Sequence, residues 1–175
     1  MADGARAAER RRMSNKPQEN GASGPITDLD RSVLFLTTAF ANKLSKGASR
    51  RLKHALGIGL MEWRVVCCLG AEPGLSAARI ADISGVDKSV VSRAVTELER
   101  QGLLRAKSEE KPGRQTALLL TETGQALHDQ GVRRADKREL RLLDGFSAAE
   151  QDMLVDFLKR LTVNLERLEE GSRSR

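Results

Sequence analysis

DKSVVSRAVTELERQ, residues 87–101, decides the fold. Wound at about 100° per residue, the step of an α-helix, it gathers Val91, Ala94, Val95 and Leu98 on one side. Ser89, Ser92, Arg93, Thr96 and Arg100 gather opposite. Asp87 offers a carboxylate to the free N–H groups of the first turn, and Gly102 tolerates the left-handed backbone that ends many helices. The apolar side asks for a protein core. The other side is short, polar and cationic, unlike the Glu/Lys mixture of an ordinary solvated helix. Serine and threonine are mediocre helix formers, so three of them on an exposed face cost propensity without a packing return. Short hydroxyl side chains with one or two arginines suit phosphate oxygens and base edges, where bulk would hold a helix out of the major groove of DNA. Taken alone, the segment also reads as a serine-rich surface helix with no partner.

The flanking sequence favours the first reading. Upstream, Ser76 is placed to cap a short helix over Ala77–Ile83 with Ile80 and Ala81 turned inward, and Ser84-Gly85-Val86 makes a turn before Asp87. Two short helices joined by a tight, glycine-containing turn form a helix-turn-helix, whose second helix reads DNA. Downstream, Leu103–Lys107 and Gln115–Leu120 read as strands joined by the turn-rich tip Glu109-Glu110-Lys111-Pro112-Gly113-Arg114. That hairpin is a wing, with Arg114 at its tip suited to a minor groove and Lys111 to a phosphate.

With these elements in place, GVDKSVVSRAVTELERQGLL followed by EEKPGRQTALLLTETG resembles the MarR family of bacterial winged helix-turn-helix regulators. The resemblance runs from Leu29 to Leu168. It rests on the D-K-S-x-V-S-R-x-V-x-x-L-E-x-x-G-L run and the G-R-x-x-x-x-x-L-T-x-x-G run ending at Gly124, in this order and spacing. Pro112 stands where many members carry an acidic residue. The resemblance implies a mainly α fold with a small β-hairpin wing and long N- and C-terminal dimerisation helices. It also implies repression of nearby genes, relieved when a small aromatic or anionic ligand enters a crevice between the dimer helices and the winged helix. Phe40, Lys43, His54, Trp63 and Arg64 are the candidate lining residues.

The expected organisation is a disordered basic tail over 1–26 and a single domain over 27–175. Within that domain, 60–120 form the winged helix-turn-helix, and 27–56 and 121–171 the dimerisation helices. The tail holds Arg6, Arg10, Arg11, Arg12 and Lys16 with little that is apolar, and no hydrophobic run follows to make a signal peptide or membrane span. A long helix starts at Thr27 or Asp28, with Leu29, Val33, Leu36, Phe40 and Leu44 at spacings of three or four, and continues to about Leu52. From Ser147, which with Glu150 makes a capping box, the C-terminal segment repeats the theme with Leu154, Phe157, Leu161, Leu165 and Leu168. A winged helix of about sixty residues is too small to bury both stripes. Two copies of the chain do so, which predicts a two-fold homodimer, the alternative being a monomeric bundle of these helices. The dimer's paired recognition helices then meet successive major grooves of a pseudo-palindromic double-stranded operator. Lys88, Ser89, Ser92, Arg93 and Thr96 supply the contacts from the helix, and Lys111, Arg114 and Gln115 those from the wing.

Composition narrows the partner class. Aromatic residues make up only 3% of the chain, with no tyrosine, so base stacking of the kind used on single strands is excluded as the main mode. A net charge of +6 favours a polyanion. His54 and His128 lie far apart without paired ligand spacing, and no glycine-rich phosphate loop or nucleophile elbow is present. The expectation is a cytoplasmic regulator with no cofactor and no catalytic activity. Cys67 and Cys68, adjacent on a helix and so about a quarter-turn apart, read as reduced, buried small residues. The alternatives are a thiol redox switch at these cysteines and a winged helix that binds protein instead of DNA.

Overall fold

The computed structural model describes residues 28–107 and 116–173. The chain divides into two compact units, one ending at Gly47 and the other beginning at Ala48. In the first, Asp28 turns the backbone: its Oδ1 accepts from Asp30 N–H at 3.1 Å and its carbonyl from Arg31 N–H at 3.1 Å. Ser32 then accepts from Phe35 N–H at 3.2 Å and starts α1 (Val33–Leu56). The helix therefore begins later than the expected Thr27 or Asp28, because Ser32 caps its first turn, and it ends at Leu56. Among the described residues Val33, Leu34, Phe35, Leu36 and Phe40 stand between 46% and 71% exposed and form an apolar face.

The second unit holds α2 (Leu60–Ala71), α3 (Ala77–Ser84), α4 (Lys88–Arg100), the strands β1 (Leu104–Ala106) and β2 (Leu118–Leu120), α5 (Glu122–Leu142) and α6 (Ala148–Arg173). Its core gathers around Ile58, Val65, Val66, Leu69, Ile80, Val91 and Leu98, each at most 1% exposed. Burying each such side chain contributes about 1.5–3 kcal/mol before ordering costs. Local capping sets the element ends. Ser76 Oγ accepts from Arg79 N–H at 3.2 Å, and Gly85, at φ +62°, closes α3 so that Val86 N–H returns to the Ala81 carbonyl. Gly102, at φ +68°, does the same for α4, and Leu103 N–H returns to Leu98 O at 2.9 Å.

β1 and β2 pair antiparallel in the register Leu104↔Leu120, Arg105↔Leu119, Ala106↔Leu118. β2 is held on its other edge as well: Leu118 N–H donates to Leu75 O and Gly74 N–H to Leu118 O, both at 3.0 Å. The regular strands are shorter than the sequence suggests, although Lys107 N–H still reaches Ala117 O at 2.7 Å. Thr121 joins the wing to α5, capping Gly124 N–H at 3.1 Å while its hydroxyl donates to Gly102 O at 2.7 Å. At α6 the Ser147–Glu150 capping box forms in both directions, with Ser147 N–H at 2.8 Å from Glu150 Oε2 and Glu150 N–H at 3.3 Å from Ser147 Oγ. Along α6, Met153, Leu154, Val155, Phe157, Leu158, Leu161, Val163, Leu165 and Leu168 are 38–70% exposed.

Gly124 is buried against the Leu103 carbonyl, onto which a Cβ would fall. Gly124→Ala is expected to lower the unfolding free energy in urea by about 3 kcal/mol, the upper range for overpacking. Gly145→Ala, at φ +85° but with no atom within 4 Å of the added carbon, should lose only about 1–2 kcal/mol. Equal losses would show that the Leu103 contact does not fix where α5 starts.

Candidate nucleic-acid interface

α4 is built as a two-sided rod. Val91, Ala94, Val95 and Leu98 are buried, and Lys88, Ser89, Ser92, Arg93 and Thr96 are all exposed on the other side. Asp87 fixes the helix start by accepting from Ser89 N–H at 2.7 Å. Hydrogen bonds from the Ser89 side chain and backbone hold the Asp87 carboxyl below its ordinary range, with a smaller attraction from Arg93. The Thr96 hydroxyl donates back to the Ser92 carbonyl at 3.1 Å, which keeps it close to the rod.

Arg100, grouped with the polar face by periodicity, is committed elsewhere. Its Nε and Nη2 lie 2.8 and 2.7 Å from the two Glu97 carboxylate oxygens, and Gln101 Nε2 donates to Glu97 Oε1 at 2.6 Å. These bonds, Arg100 first, pull the Glu97 carboxyl down to about 2. The cluster closes the last turn of α4 and leaves Arg93 as the cation in the middle of the exposed face. Glu97 was not singled out from sequence; its i, i+3 spacing to Arg100 was the available signal.

A groove of about 450 Å³ runs between the first turn of α3 and α4. Ser76, Ala77 and Ala78 line one side and Ser92, Thr96 and Glu99 the other, with Leu118 of β2 at its end. The residues on the α3 side are small, so that wall of the groove is shallow in side chains. That contribution from α3 was also missed; the Ser-Ala-Ala run after Leu75 was its only sequence trace. Lys111, Arg114 and Gln115 lie outside the described residues.

The five residues suggested for a ligand fall in different places. Phe40, 52% exposed, and Lys43, also exposed, lie on α1 in the first unit, and His54 is exposed near the end of that helix in the second. Trp63 is half-buried on α2 and stacks on His128, with ring centroids 6.3 Å apart and planes at 26°. Arg64, also half-buried, places Nη1 3.9 Å from Met61 Sδ. Among the described residues no cluster of three His, Cys, Asp or Glu side chains is placed to hold a metal ion, and no helix is long and apolar enough to cross a membrane.

Comparison with known proteins agrees with the fold. Residues 56–115 match the family model described as MarR family. A MarR/EmrR family transcriptional regulator from Acinetobacter sp. ADP1 is 34% identical, with a TM-score of 0.75 over 80% of this chain and 99% of that one. A putative MarR family regulator from Listeria monocytogenes, solved in complex with 26mer DNA, is 26% identical with a TM-score of 0.72, over 77% of this chain and 89% of the other. The HTH-type transcriptional regulator YybA of Bacillus subtilis is 27% identical over 95 residues, which are 54% of this chain and 63% of that protein, just under two thirds of its length.

The thiols bear on the redox alternative. Burial, reinforced by Cys68 nearby, pushes the Cys67 thiol up to about 11, and burial raises Cys68 as well. The thiolate is the reactive form, so both are expected to react slowly near neutrality. Iodoacetamide labelling of the folded protein at pH 8 should be far slower than that of free cysteine and should climb as the pH approaches 11. Rapid labelling at pH 7 would revive the redox reading.

Proposed function

Since the chain belongs to the MarR family of winged helix-turn-helix DNA-binding transcriptional regulators, which are not enzymes, we propose that it is a homodimeric repressor released by a small ligand. One observation carries the reading: the solvent face of α4 presents Lys88, Ser89, Ser92, Arg93 and Thr96 while its opposite face is anchored in the core. In this reading Arg93 and Lys88 neutralise phosphates, and Ser89, Ser92 and Thr96 approach base edges. The first turn of α3 accepts a neighbouring phosphate through the groove, and Lys111, Arg114 and Gln115 extend the contact from the wing.

Two copies cover the exposed apolar faces of α1 and α6 and set the reading helices about one DNA turn apart, on a pseudo-palindromic operator. The relative from Listeria monocytogenes, described as complexed with 26mer DNA, supports a double-stranded partner. The effector is an aromatic or anionic small molecule, for which Trp63 offers an indole face and Arg64 a guanidinium. Release requires it to favour a spacing of the two reading heads that the operator does not fit. The protein works in the cytoplasm in this account.

Selection from random duplexes, followed by footprinting, is expected to return two equivalent half-sites. Arg93→Ala should weaken binding about tenfold on all selected sequences and reduce the salt slope by about one. If selection enriches nothing and the residual affinity disappears with salt equally for all duplexes, the winged helix is a protein-binding module instead.

A further inference from the structure

Away from the reading face, α2 and α5 interlock through two rings and two glycines. Trp63 and Gly70 lie on α2, and His128 and Gly131 on α5. A Cβ on Gly131 would overlap Cζ3 and Cη2 of Trp63, and a Cβ on Gly70 would overlap the imidazole of His128. Each helix thus offers a ring to the bare backbone of the other, and the two rings stack between them at 6.3 Å. Glycine inside a helix costs about 1 kcal/mol relative to alanine, so two at these positions call for a packing reason. The imidazole is also held from its own helix: Nδ1 lies 3.1 Å from Asp129 Oδ1 and 3.3 Å from Gln125 Nε2, and its side chain is only 17% exposed.

The interlock sits partway along a lever. α5 starts at Thr121, which is tied to the end of α4 through Gly102 O and Leu103 O. About 15 Å further along, at a rise of 1.5 Å per residue, comes Gly131, and the helix then continues about 16 Å to Leu142. The Thr121 anchor fixes a point on α5; the ring-and-glycine contact fixes its direction. A tilt of about 10° at the contact would move the far end by about 3 Å, comparable to the 3.4 Å rise of one base-pair step.

We propose that the Trp63–Gly131 and His128–Gly70 contacts position α5 on the reading head and thereby set the half-site spacing that the dimer reads. The four act here as positioning residues, and none belongs to the face assigned to DNA; Trp63 is also among the residues proposed above for the effector. This inference rests on the dimeric reading proposed above.

The test uses the full chain and a panel of duplexes carrying two selected half-sites, with their separation varied by single base pairs. Wild type is expected to prefer one separation over its neighbours by about tenfold, the scale of a single wrong contact in a site. Gly131→Ala should shift that optimum or flatten it to about twofold, as should His128→Ala, while affinity for an isolated half-site stays unchanged. Pairing Gly131→Ala with Trp63→Phe, which withdraws the six-membered ring, should restore the original optimum. If both single variants keep the wild-type optimum and discrimination, the proposal is overturned. Should Gly131→Ala fail to fold, His128→Ala decides alone. A wild type with no preferred separation would instead overturn the two-half-site reading, and this inference with it.

Discussion

Val91 and Leu98 are wholly withdrawn from solvent against a cluster that α2 and α3 also build, and this contact governs what α4 shows to the outside. A helix of 13 residues is marginal on its own. Docked by Val91, Ala94, Val95 and Leu98, it has a fixed rotation about its axis, and the serines, Thr96 and Arg93 are then directed outward whatever their own propensities. Those residues weaken the isolated helix, and the core offsets the loss. Asp87 at the start and Glu97, Arg100 and Gln101 at the end fix where the rod begins and stops. The orientation of the reading face is therefore a consequence of aliphatic packing, while its polarity is free to serve a ligand.

The same aliphatic chemistry leaves the long helices unfinished. With few aromatic residues to close a large core, α1 and α6 carry rows of leucine, valine and phenylalanine that are exposed among the described residues. Monomers rarely keep apolar patches beyond a few hundred Å² exposed, so such faces mark contact surfaces. In the homodimer proposed above, a second copy would supply a matching surface by symmetry and at the same time duplicate the reading head. In that proposal assembly and recognition are one requirement, since covering α1 and α6 would also place a second copy of α4.

Much of this was legible in the sequence because it is local. The caps at Ser76, Asp87, Thr121 and Ser147 each involve residues within three positions, and the two faces of α4 follow from a period of 3.6. What escaped is set by residues distant in sequence. The edge pairing of Leu118 with Gly74 and Leu75, the α3 wall of the groove, and the fit of Gly131 under Trp63 each need a fold before they exist. The start of α1 was misplaced for a different reason: Asp28 and Ser32 are both good caps, and only the turn formed by Asp28 reveals which one the helix uses. Arg100 illustrates the limit of helical periodicity, which gives a side chain its direction but not its partner. Periodicity, caps and turn residues located the helix-turn-helix and hairpin, and the family resemblance joined them, whereas the ligand residues it suggested remain part of the proposal.

The proposed regulator depends on α4 presenting its polar face to DNA. The most direct measurement is NMR of the full chain during titration with a duplex. It should follow the Arg93 Nε–H and the backbone amides of Lys88, Ser89, Ser92 and Thr96. The account predicts that these signals shift most, with those of Val91 and Leu98 following weakly and those of α6 little changed. Signals on α4 that stay in place while α6 or the exposed face of α5 responds would contradict it.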